Sequence, residues 1–147
     1  RELYTTEFKI YIGCDSLPVR KDRAVFSTVV CLYRVGKGGH VVFSRERNVK
    51  VEGNTKSARL KNRLWDEVYR AVDVASIITD SNLLEDPRIT GFEVHLDLNP
   101  NAQYGSNVIH KEAMAYIMSM GLDVFVKPDS PVATYVSDHI CRGKESA

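Results

Sequence analysis

The sequence predicts an α/β protein built on a mixed five-stranded sheet with helices on its faces. One observation is that the first part of the chain holds successive β-rich runs, two of them joined by the glycine-rich turn VGKGG. The other is that the rest of the chain alternates between helical and strand periodicity, which gives the order βββαβαβα. A strand meander followed by alternating helices and strands is typical of a mixed sheet covered by helices.

The first strand is predicted over Phe8–Cys14, where the apolar alternation runs up to a single carboxylate, Asp15. Polar and turn-forming residues follow Asp15, so the strand is expected to end there. The next two strands are predicted over Ala24–Arg34 and His40–Lys50. They are expected to pair antiparallel, because glycine supplies the positive φ that a hairpin turn needs.

A helical period then runs from Thr55 to about Thr79, with Asn54 or Thr55 as the capping residue. Strand alternation returns in FEVHLDLN, which covers residues 92–99. The remaining predicted elements are a helix from about Ser106 to Met120, a short strand from Asp123 to Lys127, and a final helix with Pro131 at its first position.

Length and composition limit the class of protein. The chain of 147 residues fits a single domain over residues 1–147, and 44% hydrophobic with 27% charged residues indicates a globular protein outside the membrane. Cys14, Cys31 and Cys141 lack CxxC spacing, so the sequence predicts neither a disulfide framework nor a zinc site, and a cytoplasmic setting fits best. A net charge of +1 argues against coating nucleic acid through bulk charge but allows a local basic patch.

Acidic residues provide the candidate site. Asp15 and Asp97 lie near the C-terminal ends of strands one and four, so they project side by side if those strands are parallel neighbours. Two such carboxylates repel each other unless a cation lies between them, and a divalent metal is the simplest cation. At 100° per residue, Glu67 falls at the edge of the buried face of the first helix. The same wheel places four basic residues beside Glu67: Lys56, Arg59, Arg63 and Arg70.

Each acid also has an ordinary explanation. Asp15 is a suitable turn former before SLP, and Asp97 suits an Asx-type turn in DLNPN. Glu67 is spaced to pair with Arg63 or Arg70 on the surface of the helix. The residues alone leave these alternatives open for any one acid.

Several short motifs, taken in order, carry a family resemblance. IGCDS, the GKGGH hairpin, RL with EV in the first helix, HLDLN, and KPDS followed by SDH resemble the YkuK family of predicted ribonuclease H-like nucleases over nearly the whole chain. The resemblance implies a ribonuclease H-like fold with three antiparallel strands. It matches Asp15, Glu67 and Asp97 to the superfamily acids on strand one, the first helix and strand four. Asp138 in SDH corresponds to the late acid, with Asp129 as the alternative, although Asp129 also suits a helix cap.

The resemblance implies a metal-dependent nuclease acting on RNA, DNA or a hybrid. Asp15, Glu67, Asp97 and Asp138 would hold two Mg²⁺ or Mn²⁺ ions that activate a water for attack on a phosphodiester, and the products would carry 5′-phosphate and 3′-hydroxyl ends. The basic residues expected to hold the phosphate backbone are Lys56, Arg59, Arg63 and Arg70, with Lys21, Arg23 and Lys37 as weaker candidates.

Two other functions stay open at this point. One is a non-catalytic nucleic-acid-binding or assembly module, and the other is a metal-dependent phosphatase acting on small substrates. His95, His110 and His139 are expected to have structural or supporting roles, because Mg²⁺ prefers oxygen ligands. The sequence predicts no particular oligomeric state, pathway or substrate polarity.

Overall fold

The computed structural model describes residues 6–97 and 109–126. The elements run in the order β1 (Phe8–Arg20), β2 (Arg23–Arg34), β3 (Gly38–Lys50), α1 (Lys56–Asp80), a short 3₁₀ helix (Leu83–Glu85), β4 (Ile89–Leu96), α2 (His110–Ser119) and β5 (Asp123–Phe125). The predicted order is therefore confirmed as far as β5. The final helix predicted from Pro131 lies outside the described residues.

The strands form one five-stranded sheet in the order β3-β2-β1-β4-β5. β1, β2 and β3 pair antiparallel, whereas β4 is parallel to β1 and β5 is parallel to β4. The predicted mixed sheet is thus confirmed. The parallel pairing of β1 with β4 meets the condition under which the sequence places Asp15 and Asp97 side by side. The turn between β2 and β3 uses the predicted glycines, with φ of 77° at Gly36 and 91° at Gly38.

The predicted end of β1 at Asp15 was wrong. The strand continues to Arg20, and Asp15 pairs with Ser27 in the middle of the β1–β2 ladder. The ladder with β4 ends earlier, at Cys14, so one edge of β1 has no partner strand among the described residues beyond that point. An edge without a partner accommodates Pro18, which cannot donate a ladder hydrogen bond. Pairing with β2 therefore extends a segment whose composition resembles a turn.

The core lies on the face of the sheet that carries Ile10, Ile12 and Cys14. Both described helices contribute to it, α1 through residues such as Val68 and α2 through residues such as Ile117. A smaller cluster around Val29 lies on the opposite face. Because side chains alternate along a strand, Ser16 belongs to the face covered by α1, whereas Asp15 belongs to the alternate set.

The loop before α1 fixes where the helix begins. Thr55, one of the two predicted caps, accepts a hydrogen bond from the backbone N–H of Ala58 at 3.1 Å. Gly53 has φ of 137°, and a Cβ placed on it would lie 2.8 Å from the backbone nitrogen of Arg59. A side chain at Gly53 therefore meets both an unfavourable backbone conformation and the first turn of the helix.

Replacing Gly53 by alanine is expected to lower the free energy of unfolding by about 1–3 kcal/mol, because the clash is with backbone atoms that cannot turn aside. Gly36→Ala is the matched control. Gly36 also has positive φ, at 77°, but no atom lies within 4 Å of its added Cβ. Urea unfolding should show a larger decrease for Gly53→Ala than for Gly36→Ala, and equal decreases would show that the close contact has no energetic consequence.

The expectations about the membrane and about the cysteines can be compared with the described residues only. No helix within residues 6–97 and 109–126 is long and apolar enough to cross a membrane. Cys14 and Cys31 are free thiols, and Cys14 is buried. A single domain over residues 1–147 and a cytoplasmic setting stay predictions.

Candidate active site

Asp15 and Asp97 occupy adjacent positions where the parallel β1–β4 ladder ends. The last pair in that ladder is Cys14 with Leu96, and Asp15 and Asp97 are the next residues on the two chain segments. Asp15 is buried, with 7% of its surface exposed, and Asp97 is half-buried. The parallel pairing of β1 and β4 therefore brings these two positions together.

Glu67 reaches the same end of the sheet from α1. Its residue surface is only 3% exposed, in agreement with its predicted position beside the buried face of the helix. The hydroxyl of Ser16 donates a hydrogen bond to Oε2 of Glu67. Nη1 of Arg63 lies 3.7 Å from the same oxygen. Glu67 is thus held by a neighbouring strand and by its own helix.

Arg63 contacts both Ser16 and Glu67. Its Nη1 donates to Oγ of Ser16 at 2.6 Å and to the backbone oxygen of Ser16 at 3.3 Å. The ion pair between Arg63 and Glu67 is the one that the sequence offered as an ordinary explanation for Glu67. Here, however, the carboxylate of that pair is buried instead of solvated, so the pair belongs to the interior of the site.

The charges of the three acids influence one another. Burial raises the pKa of Glu67 well above its ordinary value of 4.5, and the charge of Asp15 raises this pKa further. The hydrogen bond from Ser16 and the charge of Arg63 oppose the rise, whereas Asp97 adds to it. Burial and two neighbouring acids disfavour the charged form of this carboxyl group. A bound cation would stabilise that charged form.

The acids fit a hard divalent metal in the chemistry of their donors, since carboxylate oxygens are the ligands that Mg²⁺ prefers. Within residues 6–97 and 109–126, however, no group of three His, Cys, Asp or Glu side chains is arranged to hold a metal ion. Glu67 instead meets Ser16 and Arg63. The assignment of Asp15, Glu67 and Asp97 as metal ligands therefore stays a prediction. Asp138 and its alternative Asp129 lie outside the described residues.

A cleft of about 800 Å³ opens beside this acidic site, between the β1–β2 hairpin and the start of α1. Among the residues that the structure describes, the charged residues that line the cleft are all basic: Arg20, Lys21, Arg23, Lys56, Arg59 and Arg63. Pro18, Val51, Ser57 and Leu60 complete the lining. The structure thus brings together three of the four predicted phosphate-binding residues, together with Lys21 and Arg23.

Arg70 lies elsewhere. Its Nε donates to Glu46 at 2.8 Å, and its guanidinium lies 4.0 Å from the centre of the Phe26 ring. These contacts join α1 to the outer strands of the sheet and favour a structural role. Lys37 is in the β2–β3 turn, at the opposite end of β1 from the cleft.

Comparison with known families gives one match that covers nearly the whole chain. The family model described as Ribonuclease H-like matches residues 1–142. The chain belongs to the ribonuclease H-like family. This result confirms the resemblance drawn from the motifs, and it agrees with the sheet order described above.

Other comparisons of this ribonuclease H-like chain are more distant. A crystal structure of Ciona intestinalis endonuclease V, in complex with a 24-mer DNA containing an inosine followed by a ribo-adenosine, is similar with a TM-score of 0.32 and 18% identity. That similarity covers 66% of this chain and 36% of the endonuclease V chain. No curated protein matches the chain.

Sequence reasoning missed two residues of this ribonuclease H-like site. The sequence places Ser16 in a turn, so its contact with Glu67 was not predicted. Arg20 was overlooked although it stands beside Lys21 and Arg23 in the run RKDR. A cluster of basic residues at the tip of a hairpin can be recognised from the sequence, because a tight turn holds such residues close together. The Ser16 contact had no comparable signal.

His95 is buried in β4, and the structural or supporting role expected for it stays a prediction. Its residue surface is 3% exposed, and its Nε2 lies 3.0 Å from Oε1 of Glu93. Its ring contacts Tyr11, with 4.9 Å between the ring centres. These contacts secure the part of β4 that leads to Asp97.

The raised pKa of Glu67 gives a prediction about stability in metal-free buffer. A carboxyl group whose pKa is higher in the folded than in the unfolded protein stabilises the fold fully below the unfolded pKa. That stabilisation disappears as pH rises through the folded pKa. Glu67→Gln removes this titration, so its stability relative to wild type should increase as pH rises from about 4 to 8.

Urea unfolding with EDTA at several pH values measures this difference. Asp73→Asn is the control, because Asp73 is exposed on α1. If Glu67→Gln and Asp73→Asn differ from wild type by the same amount at every pH, Glu67 does not titrate abnormally. A Glu67→Gln protein that becomes less stable relative to wild type as pH rises would reverse the expected sign.

Proposed function

We propose that this chain is a metal-dependent nuclease that hydrolyses phosphodiester bonds in nucleic acid. The observation that supports the proposal most is that Arg63 contacts both the buried acid and the basic cleft. This residue contacts the buried Glu67, whose carboxylate is influenced by Asp15 and Asp97. It also lines a cleft whose charged residues, in the described part of the chain, are all basic. Membership of the ribonuclease H-like family supports the same function.

The basic side chains of the cleft suit the phosphate backbone of a nucleic acid. Lysine and arginine side chains neutralise phosphates and fix the position of a nucleic acid without reading its sequence. We therefore expect binding with little sequence preference and a strong dependence on salt.

Asp15, Glu67 and Asp97 would hold Mg²⁺ or Mn²⁺, with Asp138 as the proposed fourth acid. When bound, two such ions supply an activated water and stabilise the leaving oxygen during in-line displacement. The protein residues have separate tasks in this proposal. Lys56 and Arg59 bind backbone phosphates, and Ser16 orients the carboxylate of Glu67. The expected products carry 5′-phosphate and 3′-hydroxyl ends.

A non-catalytic nucleic-acid-binding module is the second candidate. It is favoured by one observation, namely that Ser16 and Arg63 both contact the carboxylate of Glu67. In that case the cleft would bind nucleic acid, and the acids would only shape the site. A phosphatase acting on small substrates is less favoured, because a cleft lined by six basic residues is more extensive than one phosphate group needs.

One panel of substrates separates these functions. The purified protein is offered RNA–DNA hybrid, duplex, single-stranded and branched oligonucleotides, and a phosphomonoester, each with Mg²⁺ or Mn²⁺ and with EDTA. We expect cleavage of at least one oligonucleotide with metal and none with EDTA. Tight binding without cleavage would support the non-catalytic module, and turnover of the phosphomonoester alone would support a phosphatase. We retain the cytoplasmic setting as part of this proposal, on the basis of the cysteine pattern.

A further inference from the structure

β3 lies at one side of the sheet, and its outer edge has no partner strand among residues 6–97 and 109–126. The strand is 13 residues long, and most of its side chains are exposed on both faces of the sheet. The edge of such a strand presents backbone N–H and C=O groups that can pair with a strand of another chain. β3 is therefore accessible to a partner strand.

Only the second half of this edge carries the usual protection. Native proteins protect exposed strand edges with charged side chains and with interruptions of the regular strand. Residues 45–50 have both, because they read RERNVK and their pairing with β2 shifts register between Glu46 and Val49. Asn48, inside that interruption, has a positive φ of 57°. By contrast, residues 38–44 read GGHVVFS, without a Lys, Arg, Asp, Glu or Pro, so this part of the edge is regular and unprotected.

The unprotected segment, residues 38–44, also exposes three consecutive apolar side chains. Val41, Val42 and Phe43 are 44%, 71% and 40% exposed. Val42 belongs to the face of the sheet that carries the core, because β2 pairs it with Val30, which packs against that core. Val41 and Phe43 belong to the opposite face, since side chains alternate along a strand. A partner strand would therefore bury apolar surface on both faces.

The order of these side chains is self-complementary. If two copies of residues 38–44 pair antiparallel about a two-fold axis at Val42, Val42 faces its own copy, and Val41 faces Phe43 of the second copy. An axis at Phe43 would instead place Val41 opposite Arg45, and an axis at Ser44 would place Val42 opposite Glu46. The axis at Val42 gives each of the three apolar side chains an apolar partner. This match favours a second copy of the same chain as the occupant of the edge.

We propose that this chain forms a homodimer in which residues 38–44 of two copies pair antiparallel about a two-fold axis at Val42. The two five-stranded sheets then join into one continuous sheet. The basic cleft lies near the other end of β3, where Arg23 pairs with Lys50, so the interface leaves the cleft open. The inference is independent of the proposed nuclease activity, because it uses none of the acids and none of the residues that line the cleft.

Sedimentation velocity of wild type and Val42→Lys tests the dimer. Protein concentrations extend to about 1 mM, because a contact through one strand belongs with the small, weak interfaces. Ile77→Lys is the matched control, since Ile77 is 69% exposed but lies on α1. Wild type and Ile77→Lys should dimerise alike. Val42→Lys should raise the dissociation constant about 100-fold or more, because each dimer loses two buried valines and gains two facing positive charges.

A cysteine variant tests the register and does not depend on the lysine variant remaining folded. Under mild oxidation, Val42→Cys should form a disulfide-linked dimer, because the two Cα atoms at the axis lie within the reach of a disulfide. His40→Cys should not, because position 40 faces Ser44 of the second copy and lies about 13 Å along the strand from its own copy. Oxidised wild type measures any background from the native cysteines.

Three results would each overturn the inference. One is a wild type that stays monomeric at every concentration, which would leave the edge to a different partner or to none. Another is a dimer whose affinity is the same in Val42→Lys as in wild type. The third is equal cross-linking of Val42→Cys and His40→Cys. Thermal melting of every variant confirms that the compared proteins are folded.

Discussion

Replacing Asp15 by asparagine is expected to reduce metal-dependent cleavage by roughly 100-fold or more, because a bound metal supplies several kcal/mol of transition-state stabilisation. Asparagine keeps the shape of aspartate and one carbonyl oxygen, but it lacks the negative charge that a divalent ion needs. Asp15 is buried at the end of the β1–β4 ladder, and its charge acts on Glu67. The defect should therefore appear in catalysis and not in folding.

The same variant should have unchanged or slightly higher stability in metal-free buffer, because removing one of several repelling carboxylates relieves the repulsion between like charges. With saturating Mg²⁺, wild type should gain stability by mass action and Asp15→Asn should gain less. Melting temperatures with and without Mg²⁺, measured beside oligonucleotide cleavage, test both halves. Asp73→Asn on the exposed surface of α1 is the control and should behave as wild type. A variant that is destabilised without metal, or that cleaves normally, would mean that Asp15 has a structural role only.

The second large expected effect is on the salt dependence of DNA binding when positive charge is removed from the cleft. Each basic side chain that neutralises one phosphate of a DNA duplex adds about 0.9 to the steepness of log affinity against log salt. The double variant Lys56→Gln, Arg59→Gln should therefore flatten this slope by nearly two units if each residue binds one phosphate. The physical reason is that each neutralised phosphate releases condensed counterions, and a neutral side chain releases none.

Arg70→Gln provides the matched control for this prediction. Arg70 lies on the same helix and carries the same charge, but it pairs with Glu46 and covers Phe26 instead of lining the cleft. Its replacement should leave the salt slope unchanged and lower stability instead. The location of the binding surface is contradicted if Arg70→Gln flattens the slope as much as the change at Arg59 does.

The fold could be predicted from the sequence because its signals are local. The glycines of the β2–β3 turn, the change from strand to helical period near Thr55 and the alternation in FEVHL each act within a few residues. The extension of β1 to Arg20 was missed because it depends on pairing with β2, and SLPV resembles a turn when it is read alone. Tertiary pairing outweighed local preference at this segment.

The candidate site, like the fold, could be predicted only where its signals are local. Helical periodicity predicted Glu67 at the edge of the buried face of α1. Asp15 and Asp97 were expected to lie side by side on the condition that the first and fourth strands are parallel neighbours. The contact among Ser16, Arg63 and Glu67 could not be predicted, because it requires Ser16 to lie on the face of an extended strand that α1 covers. Arg59 and Arg70 lie on one predicted stripe of α1, yet only Arg59 lines the cleft. That difference depends on which strand residues meet each arginine, and helical spacing does not contain this information.

The proposed function depends above all on the buried acids forming a site for a divalent metal next to a phosphate-binding cleft. Titration calorimetry of Mn²⁺ into wild type and into the double variant Asp15→Asn, Glu67→Gln tests this site most directly, with Asp73→Asn as a surface-charge control. We predict that wild type and Asp73→Asn bind Mn²⁺ alike and that the double variant loses most of this binding while remaining folded. Binding of Mn²⁺ to the double variant with wild-type affinity, or no binding to wild type, would contradict the assignment.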